Sequence, residues 1–184
     1  KLTHKALIPP CGVLDIFMTD LKKYMQMALN QAKLALSKGE FPVGCVMEYR
    51  GKVVASGKRC NSVGVVNEMD HAEMVALRQL LSSGIEVDMH EVTVYSTMEP
   101  CLMCYATLIV NGLRKFVYSY EDAMGGGTNL PLAQLSPLYR DLEVEIRKGV
   151  LRQQSLENFR KFFANPGNEY LRGSLLAEYT LGQK

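Results

Sequence analysis

Two short stretches hold the residues whose types and spacing could do metal chemistry: HAE at 71–73 and EPCLMC at 99–104. In the second, Cys101 and Cys104 follow Pro100 three positions apart, a spacing that puts both sulfurs on one face of a helix. Alone, the pair would serve a redox dithiol, half of a four-ligand structural zinc site, or part of a catalytic zinc site. His71 supplies the next argument. It stands at the start of another predicted helix, as Cys101 does. Two helices packed on one face of a sheet can aim their N-termini at a common spot, where the helix dipole also favours thiolates. One nitrogen and two sulfurs then make three ligands for zinc and leave the fourth position to water. Glu73 has no use in a structural site. In a hydrolytic one it takes a proton from that water and delivers it to a leaving group.

Other donors lack such spacing. Cys45 falls in a predicted strand, where a free cysteine behaves as a small buried hydrophobe. Cys60, His4 and His90 belong to no motif, and His90 precedes a strand in a turn. The run Gly125-Gly126-Gly127 lacks the Gly-Lys-Ser/Thr ending of a phosphate-cradling loop, so no phosphate is expected there. Five cysteines are an odd number and argue against a complete disulfide framework.

Elements that could position these residues read from periodicity and punctuation. Residues 1–18, with a break at Pro9-Pro10, are expected to form an N-terminal arm. A helix is predicted over 19–38, where Leu21, Tyr24, Met25, Ala28, Ala32, Ala35 and Leu36 form one apolar stripe that Gly39 ends. Residues 42–57 read as a hairpin turning at Arg50-Gly51. Helices follow over 71–81 and 101–110, with strands over 91–97, 114–120 and 142–146. Two more helices are expected over 155–163 and 169–179. Strands joined through helices imply parallel pairs covered by helices. The expected fold is α/β: a three-layer α/β/α sandwich with a five-stranded mixed sheet, in a single domain over 19–184.

Bulk properties set bounds. A chain of 184 residues with 47% hydrophobic and 22% charged residues has the makeup of an ordinary globular domain. A net charge of +2 announces neither nucleic acid nor a membrane surface. No apolar run is long enough to span a bilayer. The chain opens on Lys1, so the natural N-terminus is expected to be missing or altered. Residues 13–18 are too short and too acidic for a signal peptide, and the expected compartment is the cytoplasm.

The pairing of H-x-E with P-C-x-x-C is a signature of zinc-dependent nucleobase deaminases. HAE…PCLMC resembles the cytidine and deoxycytidylate deaminase superfamily. KGEFPVGCVM, HAEMVALRQ, STMEPCLMC and YEDAMGGG are similar to the branch holding the bacterial tRNA adenosine deaminases and guanine deaminases, over residues 20–163. The resemblance implies His71, Cys101 and Cys104 as zinc ligands and Glu73 as the proton shuttle. It implies Asn61 as a contact to base or ribose, although an asparagine after a strand is usually turn chemistry. It implies Val43 and Gly44 as pocket wall. The implied reaction is hydrolytic replacement of a ring amine by a carbonyl with release of ammonia, by a homodimer carrying one zinc per subunit. The substrate is expected to be adenosine in tRNA. The stretch NFRKFFANPGNEY resembles the tail of bacterial guanine deaminases and keeps a free-base or nucleoside deaminase as the alternative. A zinc-holding but catalytically idle binding module is the reading from another class.

Overall fold

A computed structural model describes residues 11–183, with side chains from residue 19 onward. The Pro9-Pro10 break and His4 lie outside the described residues. The elements run α1 (Cys11–Leu36), β1 (Gly44–Tyr49), β2 (Lys52–Lys58), α2 (Ala72–Ser82), β3 (Thr93–Met98), α3 (Leu102–Val110), β4 (Lys115–Tyr120), α4 (Pro137–Arg140), β5 (Glu145–Arg147), α5 (Arg152–Phe163) and α6 (Leu175–Gly182). Single 3₁₀ turns at Glu68–Asp70 and Leu132–Gln134 complete the order.

The sheet order is β2-β1-β3-β4-β5. β1 is antiparallel to both β2 and β3, while β3, β4 and β5 run parallel, so the sheet is mixed as expected. Arg50 and Gly51 both adopt positive φ, 50° and 83°. That pair of left-handed residues gives the hairpin a turn whose twist matches the strands.

Alternation along the strands assigns the layers, because successive side chains face opposite sides of a sheet. Val46, Tyr95 and Val117 pack against α1, which buries Leu21, Tyr24, Met25, Ala28 and Leu29. Met47, Val94 and Phe116 face the other side and pack with residues of α2 and α3, where Tyr105 meets Phe116 edge-on at 5.3 Å. Each large apolar side chain buried in these layers contributes about 1.5–3 kcal/mol relative to exposure. Helix α5 packs against α1, β3 and β4, and α6 packs on α5.

Two glycines set how closely helices approach the sheet. A Cβ on Gly44 would lie 2.2 Å from the Ala28 carbonyl oxygen of α1. A Cβ on Gly57 would lie 2.2 Å from the Ala72 carbonyl oxygen of α2. Both strand positions are therefore points of contact with helix backbone.

Most elements lie within a few residues of expectation, and three differ in ways that have a physical reason. Helix α1 begins at Cys11, not at residue 19, because no proline interrupts the helical path after Pro10. Strand β5 is shorter and later than 142–146, pairing only with Lys115, Phe116 and Val117. The last helix does not run over 169–179. Leu171 and Gly173 adopt positive φ, 56° and 68°, which no helix tolerates. Ser174 then caps α6, its side chain accepting from the Ala177 amide at 3.2 Å.

Candidate zinc centre and active-site cavity

His71 and Cys101 are the N-caps of α2 and α3, one residue outside the helices that were expected to contain them. An N-cap side chain normally accepts a bond from its own helix. Neither of these does, so both side chains are left to face each other. Cys104 lies one turn into α3 and is buried.

His71 Nδ1 lies 3.5 Å from Cys101 Sγ and 3.4 Å from Cys104 Sγ. Zinc with usual Zn–N and Zn–S lengths in tetrahedral geometry needs an N···S separation of about 3.6 Å. The three donors fit that ion in identity and in spacing. Among the described residues they form a group able to hold a metal. Burial works against a charge on His71, but its hydrogen bond with Cys101 and the neighbouring Glu73 push its pKa up to about 9. A hydrogen bond with Cys104 pulls Cys101 down to about 4 against the effect of burial, with His71 assisting. Cys104 is pushed up by its bond with Cys101 and by burial. The protons shared within this cluster are those a divalent cation displaces on binding.

Glu73, in the first turn of α2, is buried, and the Ser96 hydroxyl of β3 donates to its Oε1 at 2.8 Å. Its Oε2 lies 3.6 Å from Cys104 Sγ. Burial raises the pKa of its carboxyl, offset in part by the charge of His71. A carboxyl so placed holds a proton nearer to neutral pH than an exposed one does.

A cavity of about 250 Å³ opens over the cluster. His71, Glu73 and Cys101 line it together with Val43, Arg59 and Tyr170. Val43 is one of the residues of its wall. Gly44 is not among the lining residues, because its open side faces α1. Asn61 is not among them either. It adopts φ 55°, and its side-chain nitrogen donates to Asp70 Oδ2 at 2.6 Å, which is turn chemistry. Cys45 is fully buried in β1, and burial raises its thiol pKa. Cys60 and His90 stand apart from the metal-holding group.

Several contributing residues carry no sequence motif. Glu68 Oε2 lies 3.0 Å from His71 Nε2. A ligand histidine whose second nitrogen is held this way keeps Nδ1 turned to the metal. Arg59 is 1% exposed and bonds both Glu68 and the Asn67 carbonyl. On the opposite side, the glycine run seats the start of α3. Gly127 N donates to the Pro100 carbonyl at 2.9 Å, and a Cβ on Gly127 would lie 2.7 Å from the Leu102 backbone. Buried Glu99 accepts from Thr128 and from the Asp122 amide across the same loop. A glycine triplet in the loop after β4 was the available signal for close backbone approach, but the sequence did not say to what.

The fold and this donor set define a zinc-dependent deaminase. A family model, the cytidine and deoxycytidylate deaminase zinc-binding region, matches residues 18–120, and the chain belongs to that family. A tRNA-specific adenosine deaminase of Rickettsia typhi is 30% identical over 141 residues, covering 76% of this chain and 95% of that protein. A tRNA-specific adenosine deaminase subunit of Schizosaccharomyces pombe is 38% identical over 148 residues, covering 79% of this chain and 37% of that one. The structure of a guanine deaminase from Nitrosomonas europaea superposes with a TM-score of 0.60 at 17% identity, over 90% of this chain and all of that one. That likeness is one of fold.

Proposed function

We propose that the protein converts adenosine to inosine in tRNA, with His71, Cys101 and Cys104 as zinc ligands and Glu73 as proton carrier. The observation that carries the reading is Glu73, a buried carboxyl anchored by Ser96 and facing the same cavity as His71 and Cys101. Bound zinc supplies Lewis acidity, enough to bring the pKa of water to about 7. Glu73 does the proton work. It takes a proton as water oxygen adds to the amine-bearing ring carbon and passes it to the ring nitrogen; it then takes the proton of the new C–OH group and delivers it to the exocyclic amine. The C–N bond breaks, ammonia leaves and a carbonyl remains. Burial raises the carboxyl's pKa, which favours a group that both accepts and returns a proton. Val43 forms part of the wall against which the base rests. The tRNA substrate is supported by relatives that carry that specificity in their names and match over most of this chain.

A second reading, deamination of a free purine base, is favoured by one observation. Tyr170, Leu171 and Leu176, from the C-terminal segment, line the cavity.

The deciding experiment measures ammonia from the zinc-loaded protein with an adenosine-containing anticodon stem-loop, guanine, adenine, cytosine and cytidine. A Glu73→Ala control accompanies each substrate. Release from the stem-loop with inosine left in the RNA is expected. Release from free guanine alone establishes the second reading, and no release from any substrate leaves a zinc-holding binding module.

The tRNA reading also implies a cytoplasmic protein. No helix among the described residues is long and apolar enough to cross a membrane. Leu102 and Val110 on α3 are large apolar side chains left more than half exposed, a composition suited to a face covered by a second copy in a homodimer. Analytical ultracentrifugation of the purified chain tests this: a monomer at micromolar concentration counts against it.

A further inference from the structure

A single oxygen, Glu68 Oε2, gathers contacts from three parts of the chain. His71 Nε2 lies 3.0 Å from it, Arg59 Nη2 donates at 3.0 Å, and the Tyr170 hydroxyl donates at 3.1 Å. Tyr170 is 102 positions from Glu68 and belongs to the segment between α5 and α6. Its ring is fixed independently of the hydroxyl. The Arg59 guanidinium stands 5.5 Å from the ring centre and the Phe41 ring 5.4 Å away. The C-terminal segment therefore touches the metal-holding cluster through one carboxylate.

We propose that Tyr170 is a positioning residue for the zinc centre. Acting through Glu68, it fixes the orientation of His71, so that docking of the C-terminal segment and retention of the metal are coupled. A ligand histidine is held in orientation and made more basic by the acceptor at its second nitrogen. An acceptor carboxylate is itself held only by its donors. The Glu68 side chain is 56% exposed. Its position is therefore set by Arg59 and Tyr170 and not by packing. Arg59 is buried and comes from the loop just after β2, close to Glu68 in sequence. Tyr170 is the contact that depends on a distant segment being in place. Coupling of this kind is reciprocal: whatever displaces the segment loosens the metal, and the bound metal favours the docked segment. Tyr170 and Leu171 also line the cavity, so displacing the segment changes the cavity wall as well as the support of His71.

The inference rests on the reading of His71 as a zinc ligand, and the test separates the two. Zinc affinity is measured by competition with a chromogenic chelator for wild type, His71→Ala, Glu68→Ala, Tyr170→Phe and the double variant Glu68→Ala/Tyr170→Phe. Tyr170→Phe keeps the ring, whereas Glu68→Ala leaves the buried Arg59 guanidinium without its carboxylate, so its thermal midpoint is measured beside wild type and affinity is read on the folded fraction. His71→Ala is expected to abolish tight binding. Glu68→Ala is expected to weaken it roughly 10- to 100-fold, and Tyr170→Phe about three- to tenfold, the worth of one hydrogen bond. In the double variant the Tyr170 change should add nothing, because its path to the metal is already gone. If His71→Ala keeps tight zinc, the ligand reading fails and this inference falls with it. If His71→Ala loses zinc but Tyr170→Phe binds as wild type, or weakens binding equally with and without Glu68, the coupling is overturned and the ligand reading stands.

Discussion

His71 Nδ1 and Cys104 Sγ meet at 3.4 Å although 33 positions separate them. The contact exists because α2 and α3 start at neighbouring points on one face of the sheet, and because the residue at each start keeps its side chain free of capping. Two uncapped helix starts are a local cost of about 0.5–2 kcal/mol each. In return the donors converge at the spacing zinc requires.

Gly44 tests whether its position is set by packing or by the substrate. A Cβ there would lie 2.2 Å from Ala28 O and 2.5 Å from Ala32 N, both backbone atoms of a long helix that cannot swing aside. Gly44→Ala is expected to lower stability by about 3 kcal/mol, the upper range for overpacking. The loss would appear as a drop in thermal midpoint, while the zinc affinity of the folded fraction stays unchanged. An unchanged midpoint would contradict the packing role.

Gly127 should behave differently. A Cβ at this residue would press at 2.7–2.8 Å on the backbone of Cys101 and Leu102, and so on a metal ligand. Gly127→Ala is expected to weaken zinc binding about tenfold or more, in the range seen when the support of a ligand is removed. Chelator competition measures it. Wild-type affinity would show that the loop does not set the position of Cys101.

Acid stability has an identifiable contributor away from the site. Glu121, just after β4, pairs with Arg152 at the start of α5 and accepts from Tyr179 of α6. Burial raises its carboxyl pKa, but these bonds more than offset it and leave it at about 2, below the ordinary 4.5. A depressed folded-state pKa gives stability that is complete above pH 4.5 and is lost as pH falls toward 2. Both side chains are about a third exposed, so after solvent screening the contribution is about 1 kcal/mol. Urea midpoints of wild type and Glu121→Gln should differ above pH 5 and converge toward pH 2. A difference independent of pH would contradict this account.

Much of the site was legible because its chemistry is local. HAE and PCLMC each place their donors within one helical turn, and the apolar stripe from Leu21 to Ala35 predicted the helix that covers the opposite face. Arg50-Gly51 named its own turn. The relationships that escaped are those between distant parts of the chain. Nothing around Glu68 or Tyr170 marks them as neighbours 102 positions apart. Asn61 has the residue type for a base contact; its backbone is left-handed and its side chain donates to Asp70. The helix expected over 169–179 spans Leu171 and Gly173, whose left-handed backbone no helix continues through. Gly173-Ser174, a left-handed residue followed by a cap, was the stronger signal.

The central claim is that Glu73 carries the protons of a deamination at a zinc centre to which it is not itself a ligand. The most direct test is Glu73→Gln, which keeps the shape and the acceptor for Ser96 while removing the acid. The measurement is zinc content together with ammonia release under single-turnover conditions. One zinc per chain is expected, as in wild type, with a rate lower by roughly 10²- to 10⁴-fold. Turnover equal to wild type, or loss of the zinc along with the activity, would contradict it.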